Sequence, residues 1–167
     1  MRIALVGYRG SGKSTIGKIL AEKTGWELVC LDELIEKRAG KSIPQIVEQE
    51  GWKRFRQLES KILKEVIKKD PAIFDLGGGV VEREENRKLI KENCFVLWHK
   101  ASPEVLAERI KHSQNRPSLT GKDFLEEISE VLARRTPFYQ ELANIKLDTE
   151  NSLPTELAWE IFKALSL

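Results

Sequence analysis

The sequence predicts a three-layer α/β/α domain with a five-stranded parallel sheet, and three observations lead there. Short apolar runs of strand length alternate with charged segments of helical spacing from end to end. The first apolar run feeds directly into a glycine-rich loop, Gly7-Tyr8-Arg9-Gly10-Ser11-Gly12-Lys13-Ser14-Thr15, which opens the first helix. No internal repeat, low-complexity tract or linker breaks the alternation, so residues 1–167 read as one domain. Strands separated by helical crossovers pair in parallel, wind right-handed and carry helices on both faces.

The strand segments are Ile3–Val6, Glu27–Leu31, Ala72–Leu76, Cys94–Trp98 and Asn144–Leu147. Helical spacing covers Ser14–Thr24, Ile43–Lys69, Glu82–Glu92, Pro103–Lys111 and Phe124–Ala143, with a last helix over Pro154–Leu165. Asp70-Pro71 ends the longest of these, because proline lacks a donor and biases its predecessor away from helix. His112 to Asp123 (HSQNRPSLTGKD) is polar, holds Pro117 and Gly121 and lacks a helical period. A polar loop with an Arg-Pro pair after a strand–helix unit is expected to form a short lid, about residues 112–123.

Composition narrows the class. A hydrophobic fraction of 41% and a charged fraction of 32% are those of a globular protein and too apolar for a disordered one. Net charge is +2, from 28 basic and 26 acidic residues interleaved along helical stretches, so neither nucleic acid nor a membrane surface is expected as partner. Cys30 and Cys94 lie in apolar segments with no metal-cluster or disulfide pattern. Arg2 leads straight into Ile3–Val6 and the glycine loop, so that run reads as a strand and not as a leader. The expectation is a monomeric cytoplasmic enzyme.

Gly7-x-x-x-x-Gly12-Lys13-Ser14 is the phosphate-loop pattern, with a strand before it and a helix after it. Its glycines let the backbone curl so that successive N–H groups of Gly10 to Thr15 face phosphate oxygens. The helix starting near Lys13 adds its positive dipole end. Lys13 can reach the outer phosphates, and the Ser14 hydroxyl is placed to ligate Mg²⁺. These residues predict ATP or GTP with Mg²⁺. A guanine-reading NKxD tetrapeptide is absent, and several arginines fall after strands or in loops, where an anionic acceptor would bind.

Beyond the phosphate loop, four segments resemble the shikimate kinase family in order and spacing: LDELIEKRAGKSIPQIVEQEGWKRFRQLE (31–59), GGGVV (77–81), NRPSL (115–119) and RTPFYQELA (135–143). The resemblance implies a P-loop kinase of nucleoside-monophosphate-kinase type with ATP as donor and shikimate as acceptor. It implies a substrate-binding segment of about residues 32–60, in which Arg56, together with Arg135, takes the substrate carboxylate. Guanidinium forks suit a planar carboxylate. From the residues alone, Arg56 could be a helix-surface charge beside Lys53 and Arg54, and Arg134 could replace Arg135 if the register shifts by one.

Asp32 stands at the family's hydroxyl-binding position, where a carboxylate orients the attacking hydroxyl and accepts its proton; it could also cap a helix over Glu33–Arg38. Gly78 occupies the family's substrate-contact position, or serves as plain turn glycine. Arg116 is implied as the lid cation over the phosphates and Arg109 as the guanidinium stacked on adenine, against an ordinary helix-surface role for Arg109. Phe55 and Tyr139 are expected to pack beside the binding arginines and Trp52 to wall the substrate pocket. The other tryptophans are expected to pack, and His99 and His112 to stand aside.

One departure from the family stands out. Its usual Asp-x-Asp before the substrate helix reads Cys30-Leu31-Asp32 here, and a thiol is a poor Mg²⁺ ligand. Asp75, two residues before Gly77, is expected to supply the missing charge with Ser14 as metal partner; alternatively it caps the turn. Arg9 places an extra cation near the nucleotide or pairs with a surface acid.

The expected reaction is therefore transfer of the ATP γ-phosphoryl group to the 3-hydroxyl of shikimate, with Lys13, Asp32 and Arg116 as the catalytic groups. A related P-loop kinase of another polyol acid, such as gluconate, is the alternative. A non-catalytic nucleotide sensor is a third reading, against which the retained acceptor residues argue.

Overall fold

Apolar side chains on both faces of the first strand determine the architecture. A computed structural model of the protein describes residues 1–111 and 123–167. Arg116, His112 and all of the expected lid except Asp123 lie outside the described residues. In β1 (Arg2–Val6), Ile3 and Leu5 join the core on one side of the sheet and Ala4 and Val6 join the core on the other. A strand buried on both faces is a continuous apolar run, which is why Ile3–Val6 contains no polar residue.

With β2 (Glu27–Cys30), β3 (Ala72–Asp75), β4 (Phe95–Lys100) and β5 (Ile145–Asp148) the sheet has the order β2-β3-β1-β4-β5, and every pairing is parallel. Ile16 and Leu20 of α1 (Lys13–Thr24) and Leu157 and Ile161 of α7 (Pro154–Ala164) cover Ile3, Leu5, Ile73 and Leu97. The opposite face, Ala4, Val6, Phe74 and Trp98, packs against α2 (Leu31–Ala39), α3 (Ile43–Val66), α4 (Glu84–Asn93) and α6 (Phe124–Leu142). The expected three-layer arrangement is thus present. A third core cluster, around Tyr8, Leu106 and Val131, joins α5 (Pro103–Ile110) to α6. The chain leaves β1 toward β2 and β4 toward β5, so a crevice opens at the carboxyl ends of these neighbouring strands.

Several element boundaries differ from the sequence expectation, each for a local reason. The long helix breaks at Gly51, whose φ of 82° and ψ of 166° are open only to glycine, and it ends at Val66. Its first segment starts at a reciprocal cap between Ser42 and Gln45. The break redirects the second segment, which carries Phe55, Arg56 and Glu59. The helix expected from Glu82 starts at Glu84, because Val80–Glu82 closes as a 3₁₀ turn after the glycine triplet. α2 starts at Leu31 with Cys30 in the cap position, so Asp32 is its second residue and not its cap. Trp159, expected to pack, is 50% exposed, with the Lys23 ammonium 4.0 Å from its ring centroid.

Gly51→Ala should force an alanine into glycine-only backbone at a cost of about 1–3 kcal/mol. The expected result is a melting temperature several degrees lower together with a raised acceptor KM, measured by thermal unfolding and steady-state kinetics. An unchanged acceptor KM would show that the break does not orient Arg56.

Candidate active site

The glycine loop leaves β1 pressed against β4. A Cβ on Gly7, at φ 145°, would lie 2.5 Å from the His99 carbonyl oxygen and 2.8 Å from Ser11 Oγ, so no larger residue fits there. The Ser11 amide donates to the Tyr8 carbonyl at 3.1 Å, and α1 begins immediately after Gly12. Its first turn contains no acid to neutralise the dipole end. Lys13 is buried, and its ammonium donates to the Gly7 carbonyl at 2.9 Å and the Tyr8 carbonyl at 3.2 Å. The Ser11 side chain is also buried, pointing toward Gly7. His99 beneath the loop is buried, and its imidazole finds no hydrogen-bond partner among the described residues. Burial, aided by the Lys13 charge, pushes its pKa down to about 3, so it stays a neutral support.

On one side the loop opens into a cleft of about 590 Å³, lined by Gly10, Gly12, Lys13, Ser14, Thr15 and Arg109. Its far wall is the segment from Thr149 to Leu157, for which the sequence carried no recognised signal. Arg109 ties these parts together. Its guanidinium donates to the Thr149 carbonyl at 2.5 Å, to Thr149 Oγ1 at 3.2 Å and to the Gly10 carbonyl at 3.3 Å. Fixed by these contacts, the guanidinium forms part of the cleft wall.

On the other side lies a cavity of about 210 Å³ lined by Arg9, Cys30, Asp32, Asp75, Gly77 and Gly78. Gly10, Lys13 and Ser14 line both spaces and form the seam between them. Arg9 therefore lines the smaller of the two spaces. The Ser14 hydroxyl donates to Asp75 Oδ2 at 2.5 Å, so this pair of hard oxygens stands together where β3 ends. Cys30 pairs with Asp75 in register across β2 and β3. Burial, then the nearby carboxylates, pushes its thiol up to about 11, so it remains protonated and is no rival ligand. Among the described residues no group of three or more His, Cys, Asp or Glu is placed to hold a metal. One carboxylate and one hydroxyl beside a phosphate loop nevertheless fit Mg²⁺, which takes its remaining ligands from phosphates and water.

The predicted arginines converge behind Gly78. Arg56 Nη1 donates to Glu59 Oε1 at 2.9 Å, and its Nη2 lies 3.5 Å from Glu82 Oε2. The Arg135 side chain is 3% exposed, with Nη2 at 3.3 Å from the same Glu82 oxygen. Arg134 points outward, 47% exposed, and its Nε donates to Glu82 Oε1 at 2.6 Å. Of the two neighbours, Arg135 is the inward guanidinium. Burial acts to raise the Glu82 pKa, but Arg135, Arg134 and Arg56 together outweigh it and hold the carboxyl below its usual range. Tyr139, fully buried, donates its hydroxyl to the Gly78 carbonyl at 2.5 Å. Burial pushes that phenol up to about 12, which keeps the donor proton in place.

Trp52 packs edge-on to Phe55, ring centroids 5.8 Å apart, with the Arg56 guanidinium 5.4 Å from its ring. Two acids of this cluster received no role from the sequence. Glu59 closes the Phe-Arg-x-x-Glu element of the segment 31–59, three residues after Arg56 on one helix. Glu82 had no local signal, since its partners lie 26 and 53 positions away.

A phosphate loop shared by a larger cleft and a small polar chamber places the chain in the class of P-loop kinases of small molecules. Comparison with known proteins narrows this. The family model described as shikimate kinase matches residues 9–166. The shikimate kinase of Thermodesulfovibrio yellowstonii is 39% identical over 161 residues, covering 96% of this chain and 92% of that one. The solved shikimate kinase from Acinetobacter baumannii, in complex with shikimate, is 32% identical with a TM-score of 0.94, covering 99% of this chain and 92% of that one. A gluconokinase from Sinorhizobium meliloti, 20% identical with a TM-score of 0.62 over 99% of this chain and 91% of its own, shares the fold alone. The chain belongs to the shikimate kinase family, whose members are ATP-dependent phosphotransferases acting on a hydroxyl group.

Tyr139→Phe should leave the Gly78 carbonyl without its buried donor, a loss of about 1–3 kcal/mol. Thermal unfolding should show reduced stability, and kinetics a larger rise in KM for the acceptor than for ATP. Equal shifts in both KM values would argue that the hydroxyl does not steady the glycine triplet.

Proposed function

We propose that this chain phosphorylates the 3-hydroxyl of shikimate with ATP across the seam formed by Lys13 and Ser14. The observation that carries this reading is the shared lining of the two cavities, which brings a donor in the cleft and an acceptor in the chamber to the same two side chains. ATP lies in the larger cleft with its phosphates on the amides of Gly10 to Thr15 and its adenine against Arg109. Shikimate lies in the smaller chamber, its carboxylate toward Arg56 and Arg135, its ring against Gly78 and its hydroxyls toward Asp32.

Asp32 orients the 3-hydroxyl and accepts its proton as the oxygen attacks the γ-phosphorus in line. The bond from that phosphorus to the β-bridging oxygen breaks, and ADP carries off the negative charge. Lys13 exchanges its loop carbonyls for phosphate oxygens, which move it little and keep it dry. Ser14 and Asp75 would hold Mg²⁺, which neutralises phosphate charge when bound. Arg116, outside the described residues, is assigned the remaining phosphate cation from its Arg-Pro sequence context.

No described helix is long and apolar enough to cross a membrane.

A coupled ADP-release assay offering shikimate, quinate and gluconate should show saturation with shikimate at the highest kcat/KM. Saturation by gluconate alone would overturn the assignment. Asp32→Asn should lower kcat about 10²–10⁴-fold, with the ATP KM little moved. Asp75→Asn should raise the Mg²⁺ concentration for half-maximal rate about tenfold or more; an unaltered Mg²⁺ requirement would remove Asp75 from the metal site.

A further inference from the structure

Within the arginine cluster the carboxylates are not equivalent. Glu59 is fully buried on the same helix as Arg56 and binds Nη1 at 2.9 Å, so it is a fixed part of the wall. Glu82 is 22% exposed at the end of a 3₁₀ turn, and one of its oxygens reaches two guanidiniums at 3.5 and 3.3 Å. A well-formed charge-assisted N–H···O bond settles at about 2.7–2.9 Å, so both contacts are loose. The tight contact of Glu82 is the outer one, 2.6 Å to Arg134 Nε. Arg56, Arg134 and Arg135 against Glu59 and Glu82 make three cations and two anions, and the surplus of one positive charge suits one further carboxylate.

A single oxygen bridging Arg56 and Arg135 stands where the carboxylate of an acidic acceptor needs to go. We infer that Glu82 is a displaceable internal ligand of the Arg56–Arg135 pair, which it bridges until the acceptor's carboxylate arrives and then yields by turning onto Arg134. This rests on the reading that Arg56 and Arg135 receive the acceptor carboxylate. Three features favour displacement over a permanent bridge. With Glu59 and Glu82 already on the pair, an acceptor carboxylate would be a third anion on two guanidiniums, so one must retreat. Glu59 has no room to do so, whereas Glu82 is partly solvated. Arg134, half exposed, already holds the second Glu82 oxygen and needs no rearrangement to keep the whole group.

The consequence is a competition between two carboxylates for one site. Apparent acceptor affinity equals the intrinsic affinity scaled by the fraction of molecules in which Glu82 has withdrawn. Glu82 thereby sets KM without touching the reacting hydroxyl. It also holds the guanidiniums in position for the acceptor while the chamber is empty.

Steady-state kinetics on the full chain at saturating ATP and Mg²⁺ test this, with thermal unfolding as a check on each variant. Glu82→Gln keeps the shape and removes the charge; the shikimate KM should fall about fivefold, the scale of one partly exposed charge pair, with kcat changed less than about twofold. Arg134→Gln, at an exposed position, removes the outer anchor and should raise KM about threefold. In the double variant the Arg134 effect should vanish. A shikimate analogue that lacks the carboxyl group and so leaves the guanidinium pair to Glu82, used as a competitive inhibitor, should bind equally to the parent and Glu82→Gln.

An unchanged or raised KM in Glu82→Gln would overturn the inference, as would an Arg134 effect that persists without Glu82. Arg135→Gln separates the two levels. If it leaves the shikimate KM unmoved, the carboxylate reading itself fails. If it raises KM more than about tenfold while Glu82→Gln does nothing, that reading stands and the displaceable ligand alone is lost.

Discussion

The contact between Gly7 and the His99 carbonyl is the constraint on which the site depends. It presses the start of the phosphate loop onto the neighbouring strand, so that the loop turns over the sheet edge and does not run on past it. From there Lys13 is fixed by two loop carbonyls, and α1 starts with its amides facing the crevice. The buried, neutral imidazole below contributes shape without adding a cation that would compete with Lys13 for phosphate. A charged residue at that depth would cost several kcal/mol in desolvation and repulsion. Neutrality under the loop is thus part of how one ammonium is kept for the donor.

The acceptor side rests on a different balance. Arg135 and Glu59 are almost wholly buried, a placement that is stable only when partners and hydrogen bonds replace water. Here the partners come from separate parts of the chain: a helix after a glycine break, a 3₁₀ turn after a glycine triplet, and the middle of α6. Tyr139, one turn beyond Arg135, locks the triplet from behind through the Gly78 carbonyl. Each element is positioned by the hydrophobic core beneath it, where Phe55, Val80, Val81 and Tyr139 share one cluster. Packing thus places the charges, and on the proposed reading the charges receive the acid group of the acceptor.

Much of this was legible in the sequence because the relevant signals are local. The apolar run Ile3–Val6, the loop Gly7–Thr15 and the alternation of periods foretold the sheet and its phosphate loop, whereas the choice between Arg134 and Arg135 stayed open until the fold buried the second. Other features were not legible, for physical reasons. The break at Gly51 sits inside an uninterrupted helical period, so periodicity alone hides it. Asp32 resembles a helix cap in sequence, but the helix gains its first turn from Leu31, which buries fully and moves the boundary back. Glu82 is chemically ordinary until three arginines from distant positions meet it.

Gly10, Lys13 and Ser14 border both cavities, so with donor and acceptor placed as proposed neither ligand meets a surface independent of the other. Free energies of binding at adjoining sites are linked, so whatever one occupant does to the affinity of its neighbour is returned in equal measure. The order in which donor and acceptor arrive is then a matter of kinetics and not of thermodynamic preference. Selection acting on this strip of chain cannot tune nucleotide affinity without also moving acceptor affinity. Independent adjustment has to come from the outer walls, Arg109 with Thr149 on one side and the arginine–glutamate cluster on the other.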